Sequence, residues 1–181
     1  MQLVIETKRT LTGALDASDA PMLRSYLVTN MEHLRDWEPT RDSSYFNLSN
    51  IEERILENNI AQEIGTALHL AAFSPDRTQI LAICNFTNIV HGVFMACNLG
   101  YSISQRHEGN GIMYEVLSAS ICHVFGVLKL HRIMANYMPH NFKSARLLER
   151  LRFDKEGVAK SYLNISGHWQ DHILTSKLAE S

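Results

Sequence analysis

Apolar residues at Ile112, Met113, Val116, Leu117, Ile121, Val124 and Phe125 recur every three or four positions, the clearest helical period in the chain. They predict a helix over Ile112–Phe125, with Gly126 as its stop. The same spacing at Met22, Leu23, Tyr26, Leu27 and Met31 predicts an earlier helix, opened by Asp19 with Pro21 in its first turn. Ser49-Asn50-Ile51-Glu52 reads as a capping box that starts a helix running to about Ala61. Between these lie strand-like runs. They are Leu3–Thr10, then Thr66–Phe73 and Gln79–Thr87 joined by a turn at Ser74-Pro75-Asp76-Arg77, then a stretch near His91–Ser104. His131–Met138 is the next strand, ended by Pro139, and Asn141–Leu151 a short helix. Val158–Ile165 and Trp169–Lys177 close the chain around a Ser166-Gly167 turn. With no repeats and no long linkers, this alternation implies one α/β domain over residues 1–181.

Composition narrows the class. The 181 residues suit one sizeable core, with 45% hydrophobic and 20% charged positions. No apolar run approaches the ~18 residues that a membrane span needs, and Met1–Glu6 lacks the pattern of a secretory signal. Cys84, Cys97 and Cys122 are widely spaced in apolar runs, so they are expected as buried small hydrophobes without disulfides, and the cytoplasm is the expected location.

Charge is uneven. Residues 1–100 carry 7 Lys+Arg against 12 Asp+Glu, and residues 101–181 carry 10 against 7. The acidic excess lies between Glu32 and Glu63, either a solvated helix face or a patch that attracts a basic partner. A pI near 6.5 gives no footing for direct nucleic-acid binding. The nine histidines show no metal-ligand spacing, so no metal is expected.

Chemistry concentrates at Arg106-His107-Glu108-Gly109-Asn110-Gly111, between the strand-like Leu99–Ser104 and the helix over Ile112–Phe125. The stretch fits Arg/Gln-x-x-Gly-x-Gly. Glycines opening a helix leave backbone N–H groups converging on one spot, and the helix dipole adds about half a positive charge there. A pyrophosphate suits that spot, although an ordinary strand-to-helix turn uses glycine as well. There is no Gly-x-Gly-x-x-Gly, no Gly-Lys-Ser/Thr and no Gly-x-Ser-x-Gly.

Downstream stand His131-Arg132-Ile133-Met134-Ala135, Asn141-Phe142-Lys143-Ser144-Ala145 and Leu151-Arg152-Phe153-Asp154-Lys155-Glu156-Gly157. In that order and at those distances, the set resembles the GNAT acetyltransferase superfamily. Met138-Pro139-His140-Asn141-x-x-Ser144 and the tail around Tyr162–Asp171 resemble its RimJ/RimL branch, nearest the ribosomal-protein-alanine type. The resemblance is dense from Leu99 to Leu178 and thinner before Thr66.

The resemblance implies a GNAT fold, a mixed and mostly antiparallel sheet of about seven strands flanked by helices. It implies acetyl-CoA as co-substrate and, as acceptor, a protein N-terminus, above all a ribosomal protein beginning with alanine or another small residue. The loop Arg106, His107, Glu108, Gly109, Asn110 and Gly111 would take the pyrophosphate. Ile103 and Ser104 would lie along the pantetheine arm with Tyr101 and Ser102. Asn141 would bind the arm, and Ser144 would sit near the sulfur as a general acid. Glu108, an anion beside phosphate, is expected to point away.

Departures from the family matter here. The tyrosine that many members place seven residues after this asparagine is Leu148, and the RimL-type glutamate before Gly167 is replaced by Leu163-Asn164. Arg152 stands where relatives turn on glycine. Asn141 and Ser144 also make good helix-capping chemistry by themselves. Glu38, in Trp37-Glu38-Pro39, is the candidate general base, or else a surface loop carboxylate. An α-amine with pKa near 7.7–8.0 costs only about 1 kcal/mol to deprotonate at pH 7, whereas a lysine costs about 4–5. A weak base therefore fits an N-terminal substrate. Two other readings stay open: a small-molecule amine acceptor (polyamine, amino acid or aminoglycoside), and a CoA-binding ribosome-assembly factor. A monomer or weak homodimer is expected.

Overall fold

A computed structural model describes residues 4–180, so Met1–Leu3, including the first residue of the expected opening strand, lie outside it. The elements are β1 (Val4–Glu6), β2 (Leu11–Gly13), α1 (Ala20–Leu34), α2 (Leu48–Glu63), β3 (Leu68–Phe73), β4 (Ile80–Val90), β5 (Ala96–Ile103), α3 (Ile112–Gly126), β6 (Arg132–Met134), α4 (Phe142–Arg150), β7 (Asp154–Ile165) and β8 (His168–Leu178). The strands form one sheet in the order β1-β2-β3-β4-β5-β6-β8-β7. Every neighbouring pair is antiparallel except β5 with β6.

Both faces of the central sheet are covered, so β3 is apolar at every position but His69. Leu68, Leu70 and Ala72 enter one core with the inner stripe of α3 and Leu148 of α4. Ala71 and Phe73 enter the other with Leu23, Tyr26, Ile51 and Ile55 of α1 and α2. That division is the two-residue alternation of a strand.

The parallel junction shapes the site. A parallel pair needs a crossover, and α3 supplies it. β5 and β6 share only the pairs Ala96–Arg132, Cys97–Ile133 and Asn98–Met134. Past Asn98 the two strands diverge, and no strand pairs with Leu99–Ile103 on that side among the described residues. The sheet is thus split, with an open backbone edge on β5.

Several expectations change. The sheet has eight strands, not about seven, because the strand expected over Leu3–Thr10 ends at Glu6 and an unpredicted strand, Leu11–Gly13, turns back to pair with it. The Thr7 N–H donates to the Thr10 carbonyl at 2.9 Å, and the Thr10 N–H donates to Thr7 Oγ1, closing a turn over Lys8-Arg9. β5 starts at Ala96, five residues after the expected start, since Gly92 and Met95 hold positive φ. The capping box at Ser49 does not form: α2 begins at Leu48 behind an extended Asn47. A reciprocal box forms instead between Asp16 and Asp19, ahead of α1. Cys84 and Cys97 are buried, but Cys122 is exposed on α3. Arg152 takes φ +61°, the left-handed turn that its place after α4 demands. No described helix is long and apolar enough to cross a membrane.

Candidate active site

The split in the sheet opens into a cleft of about 710 Å³. Its floor is the free edge of β5 at Tyr101, Ser102 and Ile103. The glycine loop and the start of α3 close one end, and Asn141, Ser144 and Leu147 of α4 form the opposite wall. The end of α1 roofs it through His33, Leu34 and Trp37.

Each wall has a local cause. Gln105–His107 forms one 3₁₀ turn, after which Gly109 and Gly111 adopt φ of +73° and +77°. A Cβ at Gly109 would meet open space, so the backbone angle, not crowding, is what asks for glycine there. Gly111 is the N-cap of α3 and supplies no side-chain cap, so the first N–H groups of α3 stay available to a ligand. Arg9 braces this end: its Nη1 donates to the Asn110 carbonyl at 2.7 Å, and its Nε to Glu115 of α3 at 2.8 Å. Across the cleft, Asn141 caps α4, with Oδ1 accepting the Ser144 N–H at 3.1 Å. The capping role is thus real, and it points the Ser144 residue at the cleft.

α1 is stitched to β5, the glycine loop and the start of α4 by a stripe of polar and ring contacts. Tyr26 Oη and Ser102 Oγ are hydrogen-bonded at 2.9 Å. Asn30 Oδ1 accepts the Gln105 N–H at 3.0 Å. His33 Nε2 lies 3.1 Å from Glu108 Oε1. The Trp37 ring stacks at a tilt on His140, 5.4 Å between centroids. Positions 26, 30, 33 and 37 recur at helical spacing, so one face of α1 and its following turn tracks β5, the loop and the start of α4.

Of the sequence-predicted residues, Ile103, His107, Glu108, Gly109, Gly111, Asn141 and Ser144 line the cleft. Ser104 does not: it is buried behind the floor, its N–H bonded to the Leu81 carbonyl. Arg106 and Asn110 lie outside the lining as well, and Arg106 is exposed on the 3₁₀ turn. Glu108 does not point away. Its carboxylate bridges Lys143 Nζ at 2.5 Å and His33, spanning the cleft mouth from the loop to α4 and α1.

Glu38 sits in an adjoining cleft of about 300 Å³, with Glu32 and Asp36 near it, and Leu34 stands in the walls of both. The tip of the β7–β8 hairpin closes this second cleft. Ser166 Oγ donates to the Arg35 and Glu38 carbonyls at 2.9 and 3.4 Å. Burial pushes the Glu38 carboxyl above the usual carboxylate range, partly offset by Arg41. Burial also raises the Tyr26 phenol, with the Glu38 charge adding to it. Sequence reasoning missed Asn30 and the hydroxyl of Tyr26. The available signal was a polar Asn on the buried stripe of α1, between Leu23, Tyr26 and Leu34.

The cleft suits a long phosphorylated thioester. The open edge of β5 offers backbone pairing to an extended arm, and the uncapped α3 terminus offers N–H groups to phosphate. Among the described residues no group of three or more His, Cys, Asp or Glu is placed to hold a metal ion.

Comparison with known proteins agrees with this geometry. Residues 9–154 match the profile of the acetyltransferase (GNAT) domain. The chain belongs to the GNAT acetyltransferase family. It is 44% identical over 172 residues to the [ribosomal protein uS5]-alanine N-acetyltransferase of Escherichia coli (strain K12), covering 95% of this chain and 89% of that relative. The crystal structure of ribosomal-protein-S5-alanine acetyltransferase from Vibrio fischeri superposes with a TM-score of 0.95 at 35% identity, over 99% of this chain and 98% of that one. Mycobacterium smegmatis RimJ, in complex with a CoA-disulfide, has the same fold at 24% identity and a TM-score of 0.87, covering 98% of this chain and 85% of that one. This GNAT protein is thus an N-acetyltransferase, with β5, the glycine loop and α4 as the walls of its cleft.

Proposed function

We propose that this GNAT enzyme transfers an acetyl group from acetyl-CoA to the α-amine of a protein N-terminus, that of a ribosomal protein beginning with alanine or another small residue. The reading rests on one observation: an open-edged cleft ending in a glycine loop, with Leu34 in its wall and also in the wall of a second cleft that holds Glu38. Identity to the uS5-alanine enzyme of E. coli supports the choice of acceptor. The cytoplasm, where ribosomal proteins are made, is the location that follows.

In this reading, backbone N–H groups of Gly109–Gly111 and the first turn of α3 hold the pyrophosphate, and the β5 edge pairs with the pantetheine arm. The acceptor amine approaches by the second cleft, where Glu38 offers its carboxylate while Glu32 and Asp36 are paired with Arg35. Glu38 accepts the amine's proton, directly or through one water, and its raised pKa makes it a better base than an exposed carboxylate. The neutral amine attacks the carbonyl carbon, its nitrogen gives up the extra proton to solvent, the C–S bond breaks with its electron pair on sulfur, and Ser144 donates a proton to that sulfur. The Ser144 hydroxyl is re-protonated from solvent.

CoA-thiol release tests this, with acetyl-CoA and a panel of acceptors: peptides with free Ala, Ser or Met N-termini, the same peptides blocked, and small amines. Turnover confined to free Ala or Ser peptides supports the proposal. Turnover with polyamines or other small amines alone replaces the acceptor, and acetyl-CoA binding without any turnover favours an assembly factor.

A further inference from the structure

Arg9 reaches the glycine loop from the turn between β1 and β2, 101 residues before Asn110. Three directed contacts fix its guanidinium. Nε donates to Glu115 Oε2 at 2.8 Å, Nη2 lies 2.8 Å from the same oxygen, and Nη1 donates to the Asn110 carbonyl at 2.7 Å. The Arg9 backbone N–H donates to Glu115 Oε1 at 2.8 Å, so the turn itself is tied to α3 along with the side chain. Partial burial favours the neutral Glu115 carboxyl, but Thr7 and Arg9 outweigh it and hold the group below the usual carboxylate range.

Arg9 is 42% exposed on its side-chain atoms, and a surface ion pair of that kind adds little stability. The contact with the loop does something else: it turns a peptide. The Asn110 carbonyl and the Gly111 N–H belong to one trans peptide unit and point in opposite directions. Arg9 stands outside the cleft lining and Gly111 within it. Drawing the carbonyl outward therefore sends the Gly111 N–H inward. That N–H, like those of Gly109 and Asn110, has no acceptor among the described residues.

We infer that Arg9 is a positioning residue for the cofactor, holding the Asn110–Gly111 peptide with its N–H aimed where the pyrophosphate binds. The inference rests on the CoA reading of the cleft and names the device that sets the loop before the ligand arrives. Glu115 already balances the Arg9 charge, so the directed bonds carry the effect. A lysine in its place keeps the charge and loses the planar fork that meets carbonyl and carboxylate together.

The test titrates 15N-labelled wild type, Arg9→Lys and Arg9→Met with CoA and with pantetheine, which lacks the pyrophosphate. Wild type is expected to bind CoA more tightly than pantetheine, and only CoA should move the Gly111 amide proton downfield. Both variants are expected to weaken CoA binding about 10- to 100-fold and to lose the Gly111 shift. Both should bind pantetheine as wild type does, which also shows that they are folded. A wild-type CoA to pantetheine ratio in Arg9→Lys overturns the inference and leaves the proposed function standing. Equal losses for the two ligands overturn it too, making Arg9 a brace of the whole fold. Failure of wild type to bind CoA overturns both.

Discussion

Asn30 holds the corner between β5 and the glycine loop: its Oδ1 accepts the Gln105 N–H at 3.0 Å, while its Nδ2 donates to the Tyr26 carbonyl at 2.8 Å. The side chain is 2% exposed. Asn30→Leu keeps the volume roughly and removes the acceptor of the Gln105 N–H, which belongs to an exposed residue. The expected loss is about 0.5–1.5 kcal/mol, read as a Tm lower by about 2–4 °C for each kcal/mol. Because the corner aims the loop, acetyl-CoA affinity should fall as well, which calorimetry measures. A variant with lower Tm but unchanged affinity would make Asn30 a purely structural residue.

Glu38→Gln should lower kcat while leaving acetyl-CoA binding unchanged, and should remove the acid limb of the pH–rate profile. Stability provides an independent check. The Glu38 carboxyl is raised in the folded protein, so the folded state binds its proton more tightly than the unfolded chain does. Its ionisation therefore favours unfolding, and the stability cost appears as pH rises through the unfolded value near 4.3 to the folded value. Glu38→Gln should be the more stable protein at pH 7, and that advantage should vanish below about pH 4. Equal stability at pH 7 would mean that the carboxyl is well solvated.

Asn141 and Ser144 share one turn but should fail differently. Asn141→Ala removes the α4 cap and should cost about 1 kcal/mol of stability, with weaker acetyl-CoA binding. Ser144→Ala keeps the cap, which uses the Ser144 N–H and not its hydroxyl. Its expected signature is a lower kcat with Tm and cofactor affinity retained. A Ser144→Ala enzyme with full kcat would remove the serine from the acid role.

The Glu108 bridge places a carboxylate where phosphate is expected to come. Lys143 is 77% exposed on its side-chain atoms, so its ion pair with Glu108 adds little stability. Glu108→Gln should leave stability within about 0.5 kcal/mol of wild type and should tighten acetyl-CoA binding by freeing Lys143 and removing like charge. Weaker binding in calorimetry would instead make the bridge a strap that holds the cofactor.

How much of this was legible in the sequence depends on the range of the interaction. The α3 stripe, the β3–β4 hairpin and the Ser166-Gly167 turn are set by neighbours in the chain, and their periodicity shows them directly. The break between β1 and β2 was hidden because the Thr7–Thr10 turn contains no glycine or proline and is closed by a backbone bond and a threonine side chain. The α1 stripe was hidden for a different reason. Tyr26 and Asn30 meet Ser102 and Gln105 across more than 70 residues, so the helical period fixes the face without naming its partner. Glu108 was expected to avoid the site on charge alone, which ignored the His33 ring arriving from α1 and the Lys143 ammonium from α4. The loop, Asn141 and Ser144 were readable because their spacing within each segment already encodes the turn.

The most direct measurement is mass spectrometry of a ribosomal protein with a free N-terminal alanine, incubated with this enzyme and acetyl-CoA, with the modified site located by fragmentation. One acetyl group on the α-amine, with every lysine unmodified, is the predicted result. Acetylation of lysines, or no transfer to a protein that exposes its N-terminal alanine, would contradict it.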